Sequence, residues 1–70
     1  MNVYTENDVT RIVRKKLGLL YSNGFSKFEI SLQLGISEKT LYKWEHGTIP
    51  KANFYLNLLS LCNKVEDTSR

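Results

Sequence analysis

The chain has 70 residues, of which 41% are hydrophobic and 24% charged, with a formal net charge of +3 and one cysteine. This length allows one domain with a thin core, and the hydrophobic fraction is that of a globular protein. No apolar run approaches the ~20 residues of a membrane helix, the acidic, polar N-terminus predicts no signal peptide, and one Cys with one His excludes an internal disulfide and a metal cluster.

The first predicted helix spans about residues 5–22, after a loose arm at residues 1–4. Thr5 and Asp8 have the spacing of a helix start, and Gly24 marks the end. Between them, apolar residues recur at helical spacing. They are Val9, Ile12, Val13, Leu17 and Leu20.

A second, shorter helix is predicted at about residues 27–34. Ser26 and Glu29 form the S-x-x-E pattern of a capping box. Gly35 then ends the helix, since glycine readily adopts the left-handed conformation of a C-cap.

A third helix is predicted at about residues 38–46, only a few residues after the second. Ser37 is a suitable N-cap, and Gly47 ends the helix. Leu41 and Trp44 lie on its inner face. Two helices joined by a short turn that contains glycine form a helix-turn-helix, whose second helix enters the DNA major groove.

The fourth predicted helix, at about residues 52–63, is apolar over more than half of its circumference, and a polar tail follows at residues 64–70. A core-facing helix needs only a stripe about 100° wide. One apolar set can face the core: Ala52, Tyr55, Leu56, Leu59 and Cys62. The second set is predicted to be a self-association surface, unless the helix is buried on two sides: Phe54, Leu58, Leu61 and Val65.

The run L-G-I-S-x-x-T-L-x-x-W-E-x-G, at residues 34–47, resembles the Cro/phage-repressor (XRE-type) helix-turn-helix family. The resemblance covers about residues 17–63. It implies an all-α, small four-helix, lambda-repressor-like domain at residues 5–63. Many members carry a fifth helix, for which this chain has room only for a short turn.

The basic charge coincides with the predicted helix-turn-helix and the helix before it. Residues 9–51 hold eight Lys or Arg against three acids, a net of +5, which is typical either of a phosphate-binding face or of a solvated surface. By similarity, side chains of the third helix and two flanking lysines would contact DNA. They are Lys27, Glu38, Lys39, Thr40, Tyr42, Lys43, His46 and Lys51.

The side chains of the third helix differ in what they could bind. Lys39 and Lys43 suit guanine or phosphate oxygens, and Tyr42 can donate to a phosphate or cover a thymine methyl. Glu38 either accepts from cytosine, excludes other bases or serves only as a first-turn acid. Thr40 is expected to turn toward the second helix or the backbone.

Three functions can be weighed against the sequence. The leading one is a sequence-specific transcription regulator, a repressor in type, that binds a palindromic duplex operator as a homodimer in the cytoplasm of a bacterial or phage-infected cell. An antitoxin-like module that binds a protein partner through the fourth helix, with autoregulatory DNA binding, is the alternative. An enzyme is disfavoured, since no nucleophile–base pair, Gly-rich phosphate loop or metal set is present, and no cofactor is expected.

Overall fold

Four helices make up the part of the chain that the computed structural model describes, residues 6–68. They are α1 (Glu6–Ser22), α2 (Lys27–Leu34), α3 (Glu38–Glu45) and α4 (Ala52–Thr68), and this part of the chain contains no strand. The predicted all-α fold with four helices is confirmed. The predicted arm at residues 1–4 and the predicted cap Thr5 lie outside the described residues.

The N-termini of the two short helices are capped as the sequence predicts. The Ser26 hydroxyl accepts a hydrogen bond from the Glu29 N–H at 3.1 Å, and the Glu29 carboxylate accepts one from the Ser26 N–H at 2.9 Å. The Ser37 hydroxyl accepts from the Thr40 N–H at 3.1 Å. These caps satisfy N–H groups that have no partner within the helix, and so they fix where α2 and α3 begin.

The first three helices end in the same way, at a glycine with positive φ. At the end of α2, Gly35 has φ +70°, and the Ile36 N–H donates to the Ser31 carbonyl at 3.0 Å. This is a Schellman motif, and the same pattern of hydrogen bonds occurs at Gly24 and Gly47. The three-residue turn between α2 and α3 is therefore defined at both ends by hydrogen bonds to the backbone.

Replacing Gly35 by alanine should destabilise the protein by about 1–2 kcal/mol, because an L side chain is strained at this φ. A methyl group here would meet no atom within 4 Å, so the loss comes from the backbone conformation. Gly18, inside α1, also has open space around it but no positive φ. Gly18→Ala should therefore stabilise the protein by about 0.5–1 kcal/mol. Urea denaturation of both variants measures these opposite effects, and a loss of stability in both would contradict this explanation.

The hydrophobic core lies where α1 and α2 each pack against both α3 and α4. All four helices contribute to it, and the inward positions predicted for Leu41 and Trp44 are confirmed. The buried apolar residues are Val13, Leu17, Leu20, Ile30, Leu34, Leu41, Trp44, Leu58, Cys62 and Val65. Among the described residues, no helix is both long and apolar enough to cross a membrane.

Cys62 connects α4 to α1 inside this core. Its side chain is fully buried, and the thiol donates to the Lys16 carbonyl at a sulfur–oxygen distance of 3.5 Å. Burial raises the pKa of the thiol, against a smaller opposing effect of the Lys16 charge. Cys62 is therefore a structural residue that stays protonated.

The predicted division of α4 into a core face and a second, exposed apolar face is wrong, although Cys62 and Tyr55 pack in the core as predicted. Leu58 is fully buried and Val65 is 9% exposed, whereas Leu56, predicted to face the core, is 63% exposed. Phe54 is half-buried and lies 6.3 Å from the Trp44 ring, measured between ring centroids. Leu61 also packs against the core. The set Phe54, Leu58, Leu61 and Val65 therefore packs into the core together with Cys62 and Tyr55, and it does not form the separate exposed surface that was predicted for self-association.

The C-terminal part of α4 also differs from its prediction as a polar tail. The helix continues to Thr68 rather than ending near residue 63. Val65 explains the extension, because burial of its side chain in the core stabilises another turn of helix.

Candidate nucleic-acid interface

One face of α3 carries four exposed side chains that could meet a ligand. Lys39, Tyr42 and Lys43 on α3 and His46 at its C-cap are spaced i, i+3, i+4 and i+7, which places them in one row, and all four are exposed. The opposite face is buried through Leu41 and Trp44. We call this row the α3 outer face. It combines two positive charges with two aromatic rings, a composition suited to phosphates and base edges.

Two members of the α3 outer face are held together. The Tyr42 and His46 rings stack with their centroids 4.0 Å apart and an angle of 25° between their planes. The His46 Nδ1 lies 2.8 Å from the Tyr42 carbonyl oxygen, which can only accept, so Nδ1 carries the proton and donates. The pair forms an ordered surface on which less side-chain entropy remains to be lost on binding.

The other residues predicted to contact DNA have different environments. Glu38 is exposed in the first turn of α3, where its charge is favoured by the helix dipole. Thr40 is half-buried, and its hydroxyl lies 3.0 Å from that of Ser37. As expected, Thr40 is turned toward the backbone cap, and it therefore offers less to a ligand than its neighbours. Lys51 is exposed between α3 and α4.

The C-terminal end of α3 is fixed to α1 through Glu45. The Arg14 Nε donates to the Glu45 backbone carbonyl at 2.7 Å, and the Tyr21 hydroxyl donates to the Glu45 carboxylate at 2.5 Å. We call these two contacts the α1 clamp. A cation at a helix C-terminus also interacts favourably with the helix dipole. The clamp therefore sets the orientation of the α3 outer face relative to α1.

Lys27 belongs to the same group of contacts. Its Nζ lies 3.6 Å from the Glu45 carboxylate, and the Lys27 side chain is 48% exposed against 19% for Glu45. An ion pair this exposed contributes no more than about 1 kcal/mol. Lys27, predicted to contact a DNA phosphate, is thus drawn toward Glu45 and is less available than Lys39 or Lys43.

Replacing Tyr21 by phenylalanine should destabilise the protein by about 1–2 kcal/mol, since a hydrogen bond to a charged, partly buried acceptor is lost. Burial raises the pKa of the Tyr21 hydroxyl well above its ordinary value of 10.0, and the hydrogen bond to Glu45 and the Glu45 charge raise it further. Below pH 10 the Tyr21 hydroxyl keeps its proton in both the folded and the unfolded chain, so its hydrogen bond to Glu45 contributes fully to the free energy of unfolding. Above pH 10 the unfolded chain loses the proton first, and stability falls as pH rises.

Urea denaturation of wild type and Tyr21→Phe between pH 7 and 11 measures both effects, because the difference between the two proteins should shrink at the alkaline end. Tyr42→Phe is the matched control: Tyr42 is 54% exposed, and this change should alter stability at pH 7 by less than about 0.5 kcal/mol. An equal loss in the two variants would contradict a specific role for the Tyr21 hydroxyl.

The two residues of α1 that hold Glu45, Arg14 and Tyr21, are not among the residues that the sequence predicts to have a functional role. The spacing could have shown them, because Arg14, Leu17 and Tyr21 follow i, i+3 and i+7 and must lie on one side of α1. Leu17 lies in the core. Arg14 and Tyr21, on the same side of α1, therefore lie at the edge of the contact between α1 and α3.

Comparison with known proteins shows a family to which this part of the chain is similar. The model of the family described as the putative ATPase subunit of terminase (gpP-like) matches residues 12–47, which extend from α1 through α3. No curated protein and no solved structure matches the chain.

This match overturns two predictions from the sequence. Assignment to the Cro/phage-repressor family was wrong, since the matching model describes a terminase family. The predicted function, a repressor-type transcription regulator with an antitoxin-like module as the alternative, is wrong for the same reason. The motif at residues 34–47 consists largely of caps, turn residues and core residues, which any short helix-turn-helix needs, and it therefore did not identify one family.

Proposed function

The chain belongs to the family of the putative ATPase subunit of terminase (gpP-like), and we propose that it supplies this phage packaging machinery with a duplex-DNA-binding helix-turn-helix. In this proposal α3 enters the major groove, and α1 and α2 face the flanking backbone. A terminase acts on DNA, so a DNA-binding element has a direct use there. The corresponding location is the cytoplasm of a bacterial or phage-infected cell.

The α3 outer face is the observation that carries the proposal. A helix entering the major groove must present its polar side chains along one row and be held to the rest of the domain by the other side. The row Lys39, Tyr42, Lys43 and His46 is exposed, whereas Leu41 is fully buried. The net charge of +5 over residues 9–51 supplies the long-range attraction that phosphate binding needs.

The proposal assigns DNA contact, and not nucleotide hydrolysis, to these 70 residues. The phosphate loop of P-loop ATPases requires G-x-x-x-x-G-K-[ST], and none of the four glycines of the sequence begins such a run. We therefore propose that the chain is itself not an enzyme and contacts the DNA on which the terminase acts.

Binding to duplex DNA tests the proposal. Fluorescence anisotropy with a labelled duplex of about 20 base pairs, from about 50 to 200 mM salt, should give an affinity whose logarithm falls linearly with the logarithm of salt concentration, by about 0.9 per phosphate contacted. Selection from random duplexes then reports any preferred sequence. Failure to bind duplex DNA at the lowest salt concentration would exclude the function.

Association of two copies on DNA stays a separate proposal, because the surface predicted for it lies in the core. The exposed large apolar side chains on α2 and α4 are instead Phe28, Leu32 and Leu56. Titration at DNA concentrations well above the Kd gives the number of chains per duplex. A stoichiometry of one would rule out assembly on a single site.

A further inference from the structure

A cleft between α1 and the end of α3 is lined by basic side chains and adjoins the α3 outer face. Its volume is about 350 Å³, and Thr10, Arg11, Arg14, His46 and Gly47 line it. We call it the basic cleft. None of these five lining residues, all within the described part of the chain, is acidic. Two guanidinium groups and an imidazole thus line the same cleft. They are distant in sequence, and the packing of α1 against α3 brings them together.

Arg11 has the greatest capacity to bind a ligand in this cleft. It is exposed, and within residues 8–67 it takes part in no hydrogen bond or ion pair. All five of its N–H donors therefore remain for a ligand, in the planar arrangement that matches phosphate oxygens. Arg14 uses its Nε on the Glu45 carbonyl, which holds its guanidinium at the cleft and leaves the terminal nitrogens as donors.

His46 joins the basic cleft to the α3 outer face. Its Nδ1 is used on the Tyr42 carbonyl, and its ring is stacked on the Tyr42 ring. The remaining nitrogen, Nε2, is the one that can bind a ligand, as an acceptor when neutral and as a donor when protonated. Since one residue belongs to both surfaces, a ligand in the cleft lies next to any DNA held by α3.

We infer that the basic cleft binds a phosphate group, with Arg11 as its main ligand and Arg14 and His46 beside it. Two sources share this chemistry: a backbone phosphate of the duplex bound by α3, and a free phosphate or nucleotide. The first source rests on the proposed function. Binding of a free phosphate or nucleotide does not depend on the proposed function, so an experiment can distinguish the two sources.

The first experiment asks whether the cleft takes phosphate at all. NMR spectra of the ¹⁵N-labelled chain are recorded during titration with inorganic phosphate, with sodium chloride at equal ionic strength as the reference. We expect saturable shifts of the Arg11 Nε–H, the His46 ring and the Gly47 amide. Arg11→Gln should abolish the shifts at His46 and Gly47, and Lys15→Gln, an equal change of charge at an exposed residue of α1 outside the cleft, should retain them.

The second experiment identifies the source of the phosphate. The salt dependence of duplex binding is measured for wild type, Arg11→Gln and Lys15→Gln. If a backbone phosphate occupies the cleft, the salt slope of Arg11→Gln should be smaller by about 0.9, with similar losses of affinity for unrelated duplexes. The slope of Lys15→Gln should match that of the wild type.

Each combination of results has its own meaning. Absence of saturable phosphate shifts, or shifts that persist in Arg11→Gln, would overturn the inference whatever the DNA experiment gives. Saturable shifts with equal salt slopes in the two variants would assign the cleft to a free phosphate. If the wild-type chain binds no duplex, the proposed function fails, while the phosphate titration still decides the cleft.

Discussion

Replacing Lys39 and Lys43 together by glutamine should weaken binding to duplex DNA by a factor of at least about 30. Both side chains are exposed, and they lie one turn apart on the α3 outer face. A side chain that contacts a base edge contributes about 1–3 kcal/mol, so loss of two contacts removes at least about 2 kcal/mol. Anisotropy titrations at a fixed, moderate salt concentration measure the change, and far-ultraviolet circular dichroism shows whether helicity is kept.

A matched double variant distinguishes this effect from a general loss of positive charge. Lys15→Gln with Lys64→Gln removes the same charge from α1 and α4, away from the α3 outer face. We expect its affinity to fall by less than about fivefold in 0.1 M salt, because charges outside the contact surface act only through a field that salt screens, with a Debye length of ~10 Å. Equal losses in the two double variants would contradict the placement of α3 in the groove.

Leu58→Ala should remove most of the stability of the protein at 25 °C. Truncating a fully buried leucine costs about 2–5 kcal/mol through lost burial and the cavity that remains, and a domain of this size rarely has more than about 3–5 kcal/mol of stability. Leu58 is fully buried in the core. Thermal and urea denaturation followed by circular dichroism give the loss directly.

The same substitution two residues earlier is the control. Leu56 is 63% exposed, and Leu56→Ala should change the free energy of unfolding by less than about 0.5 kcal/mol. The pair tests the face that α4 buries, because the helical wheel alone predicts the opposite order. If Leu56→Ala were the more damaging variant, burial of Leu58 between α4 and its neighbours would be refuted.

The bounds of the helices could be predicted because local residues determine them. Ser26 and Ser37 cap two helices through hydrogen bonds within three residues, and Gly35 ends one through hydrogen bonds within the preceding turn. These interactions require no knowledge of the rest of the fold. The end of α4 was missed for the converse reason: it depends on burial of Val65 against distant parts of the chain.

The faces and the function required non-local information. The apolar side chains of α4 cover more than half of its circumference, so only the positions of α1 and α2 decide that Leu58, and not Leu56, is buried. The α1 clamp joins Tyr21 to Glu45 across 24 positions of sequence. The predicted function was wrong because the motif residues specify the helix-turn-helix geometry, and proteins with different functions share this geometry.

The glycine-ended turns have a consequence for how quickly the chain refolds. Each of the first three helices completes its closing hydrogen bonds within six consecutive residues, so their turns can form before distant segments meet. Folding rates rise as contacts become more local, and small helical domains fold in about microseconds to milliseconds. The contact between Cys62 and Lys16 spans 46 positions, against 24 between Tyr21 and Glu45, so it closes the longer loop. We therefore expect the main refolding phase within milliseconds, with docking of α4 onto α1 as its slowest step.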